Sequence, residues 1–498
     1  MITNLPSIGP RGVQFPSLRF VRYLLFTCLC LSTLSARADI VFYRLPTVKG
    51  DVIMLEGTTT VNPGGTVTFT HPKFGKVHLD LASVDIRKAQ PLTAQFTRQL
   101  GKAGNSPELR MEAAHWALRK GMLPQFYSAV EKTLEVDPQH PRALLVKKLK
   151  ALMDIPVGDS SQQVSEMRKF VGRDDMKVLQ SKHFVLMHDT PDSPKRGKFT
   201  RAEERIELLE TVYECFLLRF YASGVQLEIP KERLKVLLFN DHQQFRLFCD
   251  RLGPDLASAS GFWDGENNTS VFFDHASNDR HKALKQVSDD LQGRKKDAIR
   301  GRDLNAAAVV RLADALSMLI EVERESSDIE VVSHETAHQM AGNTGLFPRH
   351  VRIPSWVHEG LATYFETPNG AAWGGIGAVN EQRLMMYRAL ERDREHSNIS
   401  FIVGDQIFDY AKTLGATLHG YGQAWALTHF LIDKHFDKFL TFYRRLGELP
   451  PDTFLSAEII NQIFDESIGI DRGSLEQQWK AYMATLKTDI ELILEADK

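Results

Sequence analysis

Two stretches, His334-Glu335-Thr336-Ala337-His338 and Trp356-Val357-His358-Glu359-Gly360-Leu361-Ala362-Thr363-Tyr364-Phe365-Glu366, decide how this chain is read. On a helix, residues i and i+4 project from one face. His334 and His338 can therefore reach one metal ion while Glu335 leans over an open coordination position. The surrounding residues predict that helix: Ser327 with Glu330 forms a capping box, Ile329, Val332 and Met340 supply an apolar face, and Gly342 marks the end. The chain has 17 histidines, so the five-residue pattern alone arises by chance in roughly a few per cent of sequences this size. The second stretch adds what is missing. It reads as a short helix opened by Pro354-Ser355 and stopped by Pro368. A catalytic zinc takes three protein ligands and keeps one open position, and a carboxylate on a separate helix completes two histidines. Glu359 is the leading donor, with His358, about 100° away on the helix, and Glu366, two turns on, as alternatives. Thr363, one turn after Glu359, either orients that carboxylate or is simply packed.

With these residues the chain resembles the gluzincin metallopeptidases, in which the histidine helix is followed by a helix whose Glu binds zinc. The Glu359-Gly360-Leu361-Ala362 run, with Trp356 before it and Tyr364 and Phe365 after it, is similar to the bacterial peptidase-MA-like branch. The resemblance spans about residues 177 to 498, including a closing helix with Trp479 and Tyr482. As a whole the chain also resembles exported bacterial proteins grouped only as a domain of unknown function. What the resemblance implies is a zincin-like α+β fold, one catalytic Zn2+ held by His334, His338 and Glu359, Glu335 as general base, and a peptide or protein substrate. Related enzymes stabilise the oxyanion with a Tyr or His from the region of His419-Gly420-Tyr421-Gly422, which makes Tyr421, and after it His419, the expected donor. Glycines on both sides would let the phenol approach the metal, ahead of a helix expected over Gln423 to Ile432. The glycine-rich motif with which aminopeptidases hold a free amine has no match, because Gly261 to Glu266 has the wrong spacing.

Outward from the metal motif, the pattern from His183 to His188 and from Leu234 to Phe239 is strand-like, and Ala202 to Phe220 has helical apolar spacing. Ala259 to Trp263 and Thr269 to Phe273 flank a turn and read as a hairpin. Thr269 to Phe273 is the expected edge strand along which an extended substrate would lie. The charged run 279 to 305 reads as a solvated helix face before an apolar helical run, Ala306 to Glu323. Residues 39 to 90 are short strands punctuated by turns, a small β module. Residues 91 to 157 resemble one to one and a half tetratricopeptide units: Ala113, Trp116 and Leu118, then Gly121, then Ala129 and Leu134, closed by Asp137-Pro138. So few repeats cannot bury their own core, so they are expected to pack on a neighbour as a spacer or to offer a surface to a protein partner. Residues 158 to 176 read as a polar linker, and 177 to 498 as the peptidase-like domain.

Composition sets the limits. At 498 residues, 43% apolar and 25% charged, the chain is long enough for two to four globular domains, and collagen-like, disordered and disulfide-stapled classes are excluded. The opening segment, 1 to 38, holds Arg11, Arg19, Arg22 and Arg37 and no acid. Of the 61 basic side chains in the whole chain, 57 therefore stand against 63 acidic ones in the remainder, or −6, with no nucleic-acid footprint. That opening segment reads as a signal peptide: basic residues to Arg22, an apolar run Tyr23 to Leu34, and Ala36-Arg37-Ala38 as cleavage site. The run is too short to span a bilayer, and no other stretch spans, so a periplasmic or extracellular location is expected. Cys28 and Cys30 would leave with the signal; Cys215 and Cys249 remain, as one bridge or two buried thiols. The expected function is a zinc metallopeptidase, with a zinc-stabilised binding protein as the alternative.

Overall fold

Alternation of apolar and polar residues folds the first described segment into an antiparallel sheet. Its strands are β1 (Asp39–Arg44), β2 (Val52–Asn62), β3 (Thr66–His71), β4 (Gly75–Asp80) and β5 (Val84–Lys88), in the order β4-β3-β2-β1-β5. Val41, Leu55, Val67, Phe69, Val77 and Leu79 face one side and cannot close a core by themselves. The computed structural model describes residues 39–495 apart from 45–51, 89, 195–197, 254–255, 257–258, 302–305, 350, 367, 370–371 and 452; the expected signal, 1–38, lies outside the described residues.

Four helices follow: α1 (Leu92–Ala103), α2 (Pro107–Arg119), α3 (Leu123–Val136) and α4 (Pro141–Met153). Gly121, at φ +66°, makes the expected turn between α2 and α3. The segment expected as a linker contains helix α5 (Ser161–Val171). Its polar composition hid a narrow apolar stripe, and Met167 and Val171 are buried in a core.

A second sheet is built from β6 (Lys177–Gln180), β7 (Phe184–His188), β8 (Leu234–Phe239), β9 (Gly261–Asp264) and β10 (Thr269–Phe273), with α6 (Arg201–Tyr221) between β7 and β8 and α7 (His242–Leu252) after β8. The order is β6-β7-β8-β10-β9; β7, β8 and β10 run parallel, β6 and β9 antiparallel to their neighbours. Thr269–Phe273 is therefore an inner strand, paired on both sides and buried along its length, and the edge belongs to Gly261–Asp264. A hairpin pattern alone does not say which of its two strands turns outward. On one face Val185, Met187, Leu237 and Val271 pack with α5 and α7; on the other Leu186, Val236 and Phe272 join the main core.

Helix α8 (Asp279–Gly301) is solvated as expected and precedes α9, an unbroken helix Ala306–Asn343. The helix expected to begin at Ser327 is thus continuous with the apolar run before it and starts at Ala306. The Ser327 hydroxyl donates to the Glu323 carbonyl (3.1 Å) instead of capping, and Glu330 accepts from Arg383 (3.0 Å). Residues 306 to 341 contain no Gly or Pro, so nothing interrupts the helix. Its first half covers the β module through Ala315, Met318, Leu319 and Val322, and its second half lies on the second sheet. Between them sits a buried ionic cluster. Arg205 pairs with Asp328 and Glu325, Arg324 with Asp328, and Lys73 of the β module with Glu325 at 2.8 Å.

The C-terminal part is helical: α10 (Ser355–Phe365), a short hairpin of β11 (Pro368–Asn369) and β12 (Ala372–Trp373), α11 (Glu381–Leu390), α12 (Ile399–Val403), α13 (Ile407–Thr413), α14 (Leu418–Lys434), α15 (Phe436–Gly447), α16 (Ala457–Ile468), α17 (Arg472–Thr485) and α18 (Asp489–Glu495). Phe126 and Leu149 of α3 and α4 share one continuous core with Phe216, Trp356, Trp425 and Trp479. The repeat-like helices are thus packed into the body of the protein. Cys215 and Cys249 are free thiols in separate cores. No described helix is long and apolar enough to cross a membrane.

Candidate metal centre

Helices α9 and α10 bring His334, His338 and Glu359 together. His334 Nε2 lies 3.0 Å from Glu359 Oε2 and 3.0 Å from His338 Nε2, and His338 Nε2 is 3.7 Å from the same carboxylate oxygen. Bonds of about 2.0–2.1 Å around a tetrahedral zinc put neighbouring ligand atoms about 3.3 Å apart, so the triangle has the dimensions of one face of such a site. Two imidazoles and a carboxylate form a zinc-type donor set. Among the described residues this is the one cluster with three converging donors of this kind.

Burial opposes charge on Glu359, but the charge of His338 and a hydrogen bond from His334 overcome it and hold the carboxyl well below its usual range. Glu335 behaves oppositely. Burial raises it above the ordinary carboxylate range; His334 and His338 pull it back and Glu359 adds to the rise. The Trp263 backbone, on the edge strand β9, also draws Glu335 slightly down. A carboxylate of raised basicity beside a metal-type triad is equipped to accept a proton near neutral pH.

Glu366, an alternative ligand on sequence grounds, is placed behind His334. Its Oε1 accepts from His334 Nδ1 at 2.7 Å, leaving Nε2 directed at the cluster. Glu366 is itself held by Arg383, from Nε at 2.7 Å and Nη2 at 2.8 Å, and by Asn380 Nδ2 at 3.2 Å. Neither Arg383 nor Asn380 was singled out from the sequence, where only a helix start at Asn380-Glu381 was there to be noticed. His358, the other alternative, stacks face to face on His338, with ring centroids 3.7 Å apart and planes inclined by 11°. It supports the His338 ring, and Glu359 rather than His358 joins the three-residue cluster. Thr363 donates to the Glu359 backbone carbonyl at 2.7 Å, not to its carboxylate, so it caps its own helix turn.

Tyr421 stands beside the triad, its ring 6.3 Å from that of His334, packed edge-on to Phe408 and under the Arg383 guanidinium at 5.4 Å. Burial, with Glu359 and Glu335 nearby, raises its phenol so that it stays protonated and able to donate. Among the described residues no hydrogen bond, ion pair or ring contact joins His419 to the three ligand-type residues, and its Nδ1 is buried without a hydrogen-bond partner. The reason for the flanking glycines also differs. The segment already lies in α14, and side chains at 420 and 422 would collide with Phe408 and with Met386 and Tyr387, so these glycines serve helix packing.

The same logic places Glu359. A methyl group at Gly360 would overlap the Thr428 hydroxyl and the Ala424 carbonyl, so glycine lets α10 lie directly on α14. Asp405 accepts from the backbone N–H groups of Ser355 (2.8 Å) and Trp356 (2.9 Å), capping α10 from a distant loop.

A family profile described as "Protein of unknown function (DUF1570)" matches residues 328–452, about a quarter of the chain. The matched span contains the triad, Glu335, Glu366, Arg383 and Tyr421. No curated protein and no solved structure matches the chain.

Proposed function

We propose that this chain is an exported zinc-dependent metallopeptidase of the gluzincin type. The observation that carries the reading is the convergence of His334, His338 and Glu359 from consecutive helices with the buried carboxylate of Glu335 beside them. The signal-like composition of residues 1 to 38 supports export. A zinc ion held by the three residues would supply Lewis acidity and make a water available as hydroxide near neutral pH.

The protein's own groups divide the remaining work. Glu335 takes the proton of the attacking water and returns it to the departing amide nitrogen. Glu366 fixes the His334 ring so that Nε2 faces the cluster. Tyr421 donates to the oxygen on which negative charge develops. The edge strand β9 offers main-chain groups to an extended peptide, which makes recognition weakly dependent on sequence.

The test combines metal analysis of the purified chain with incubation in a denatured protein mixture, read by mass spectrometry. Stoichiometric zinc and cleavage are expected. Glu335→Gln should keep fold and zinc and lose cleavage; Glu359→Gln should lose zinc strongly, and His358→Ala should retain most of it. A zinc-free wild type, or Glu335→Gln cleaving at the wild-type rate, refutes the reading. Zinc without turnover in the wild type supports the zinc-stabilised binding protein instead.

A further inference from the structure

Arg383 lies on α11, outside both motif helices, and is 5% exposed. A buried guanidinium needs its charge compensated and its donors used. Here two carboxylates do this, Glu366 through Nε and Nη2 and Glu330 through Nη2 at 3.0 Å. Nη1 has no hydrogen-bond partner among the described residues. The guanidinium plane also meets the Tyr421 ring. One side chain therefore touches the carboxylate behind His334 and the phenol expected to face the substrate.

We propose that Arg383 is a positioning residue for this site, aligning His334 through Glu366 and the Tyr421 ring by direct contact. Glu366 receives two donors from Arg383 and one from Asn380, which fixes its rotation. The remaining lone-pair direction on Oε1 then meets the His334 Nδ1 proton. Held this way, the imidazole presents Nε2 at one angle. Outer partners of this kind set metal affinity by about 10–100-fold when removed. Lysine cannot replace this arginine, because a point charge with a flexible stem supplies neither the forked pair to Glu366 nor a planar face for Tyr421.

The inference rests on the reading of the triad as a zinc site, and the measurements separate the two. Zinc affinity, by competition with a chelating dye, and the visible spectrum of the Co2+-substituted protein are recorded for wild type, Arg383→Lys, Arg383→Gln and Tyr421→Phe. Wild type without zinc affinity defeats the zinc reading itself. With wild type binding, the proposal expects both Arg383 variants to lose about 10–100-fold in affinity and to show an altered Co2+ spectrum, while Tyr421→Phe changes neither. Where cleavage is measured, Arg383→Lys should lower kcat by a smaller factor in the Tyr421→Phe background than in wild type, because one of its two effects is already gone. Unchanged affinity and spectrum in Arg383→Lys overturn the proposal. So does unfolding of both Arg383 variants in the presence of zinc, which makes the residue one needed for folding alone.

Discussion

Gly360→Ala offers a sharp test of how Glu359 is placed, because two effects of known sign compete. In an unencumbered helix interior, replacing Gly with Ala stabilises by about 1 kcal/mol. At this position the added methyl group would overlap the Thr428 side chain and the Ala424 carbonyl. Ala424 and Thr428 are fully buried, so neither has free space to move into. The two helices would have to part by on the order of 1 Å in a close-packed interior. Overpacking of this kind costs about 1–3 kcal/mol, which exceeds the propensity gain at most of its range. A net loss of up to about 2 kcal/mol is expected in urea unfolding of the metal-free protein. Glu359 is the neighbouring residue, and its oxygen sits 3.0 Å from His334 Nε2. A displacement of that size should weaken zinc binding about tenfold or more. Adding Thr428→Ala to Gly360→Ala should restore part of both losses, since it clears the hydroxyl and leaves the Ala424 carbonyl in place. If Gly360→Ala were as stable as wild type and bound zinc equally well, the close approach of α10 to α14 would not be what positions Glu359.

Two other outcomes follow from the body of the protein. Burial, followed by the nearby Arg219, lowers His115 to about 4, and its Nε2 lies 3.0 Å from the Ala222 carbonyl. A group depressed in the folded state contributes stability that is present above its unfolded value of about 6.5 and is lost as pH falls from there toward 4, here about 3 kcal/mol. His115→Gln should flatten that part of the pH–stability curve, and an unchanged slope would refute the assignment. Deleting residues 39 to 157 should give an insoluble or zinc-free product, because it uncovers Phe216 and the first half of α9. A soluble, cooperatively unfolding, zinc-binding fragment beginning at 158 would show that the shared core is dispensable.

Local chemistry explains which features could be read from the sequence. The i, i+4 histidines and the Glu359 helix are short-range patterns. The strands of the first sheet follow from alternation and turn residues, and those of the second from short apolar runs, except β6 (Lys177–Gln180), which was not read as a strand. What escaped depends on partners distant in the chain. The polar stretch 158 to 176 hid a helix because its buried stripe is narrow and partly polar: Gln163, Met167 and Val171. The apparent capping box at Ser327 was outweighed by tertiary burial on both sides of it. The choice of edge strand depends on β8 pairing with β10 rather than β9, a contact that passes over the nearer strand in sequence to bring Val236 beside Ser270. Glu366 was considered as a ligand, but its role behind His334 is set by Arg383 and Asn380, 17 and 14 residues away.

Those distant partners also determine which face α9 turns toward α10. Apolar contact is non-directional, so the packing of Met318, Leu319 or Met340 would tolerate some rotation of the helix about its axis. A shift of one residue is a rotation of about 100°, enough to aim Glu335 where His334 must point. Directional bonds remove that freedom on both flanks of the motif. Before it, Asp328 accepts from the His275 ring at 2.7 Å and pairs with Arg205 and Arg324. After it, Gln339 donates to the backbone carbonyls of Lys235 (3.0 Å) and Asn268 (3.2 Å) and accepts from Ser270 (3.0 Å). Buried charges such as Asp328 often add little net stability compared with apolar replacements, and their clearest use is to specify one arrangement among similar ones. The face that the two histidines share turns toward Glu359 only while that arrangement holds, so the ionic cluster and Gln339 together set the direction in which that face is aimed.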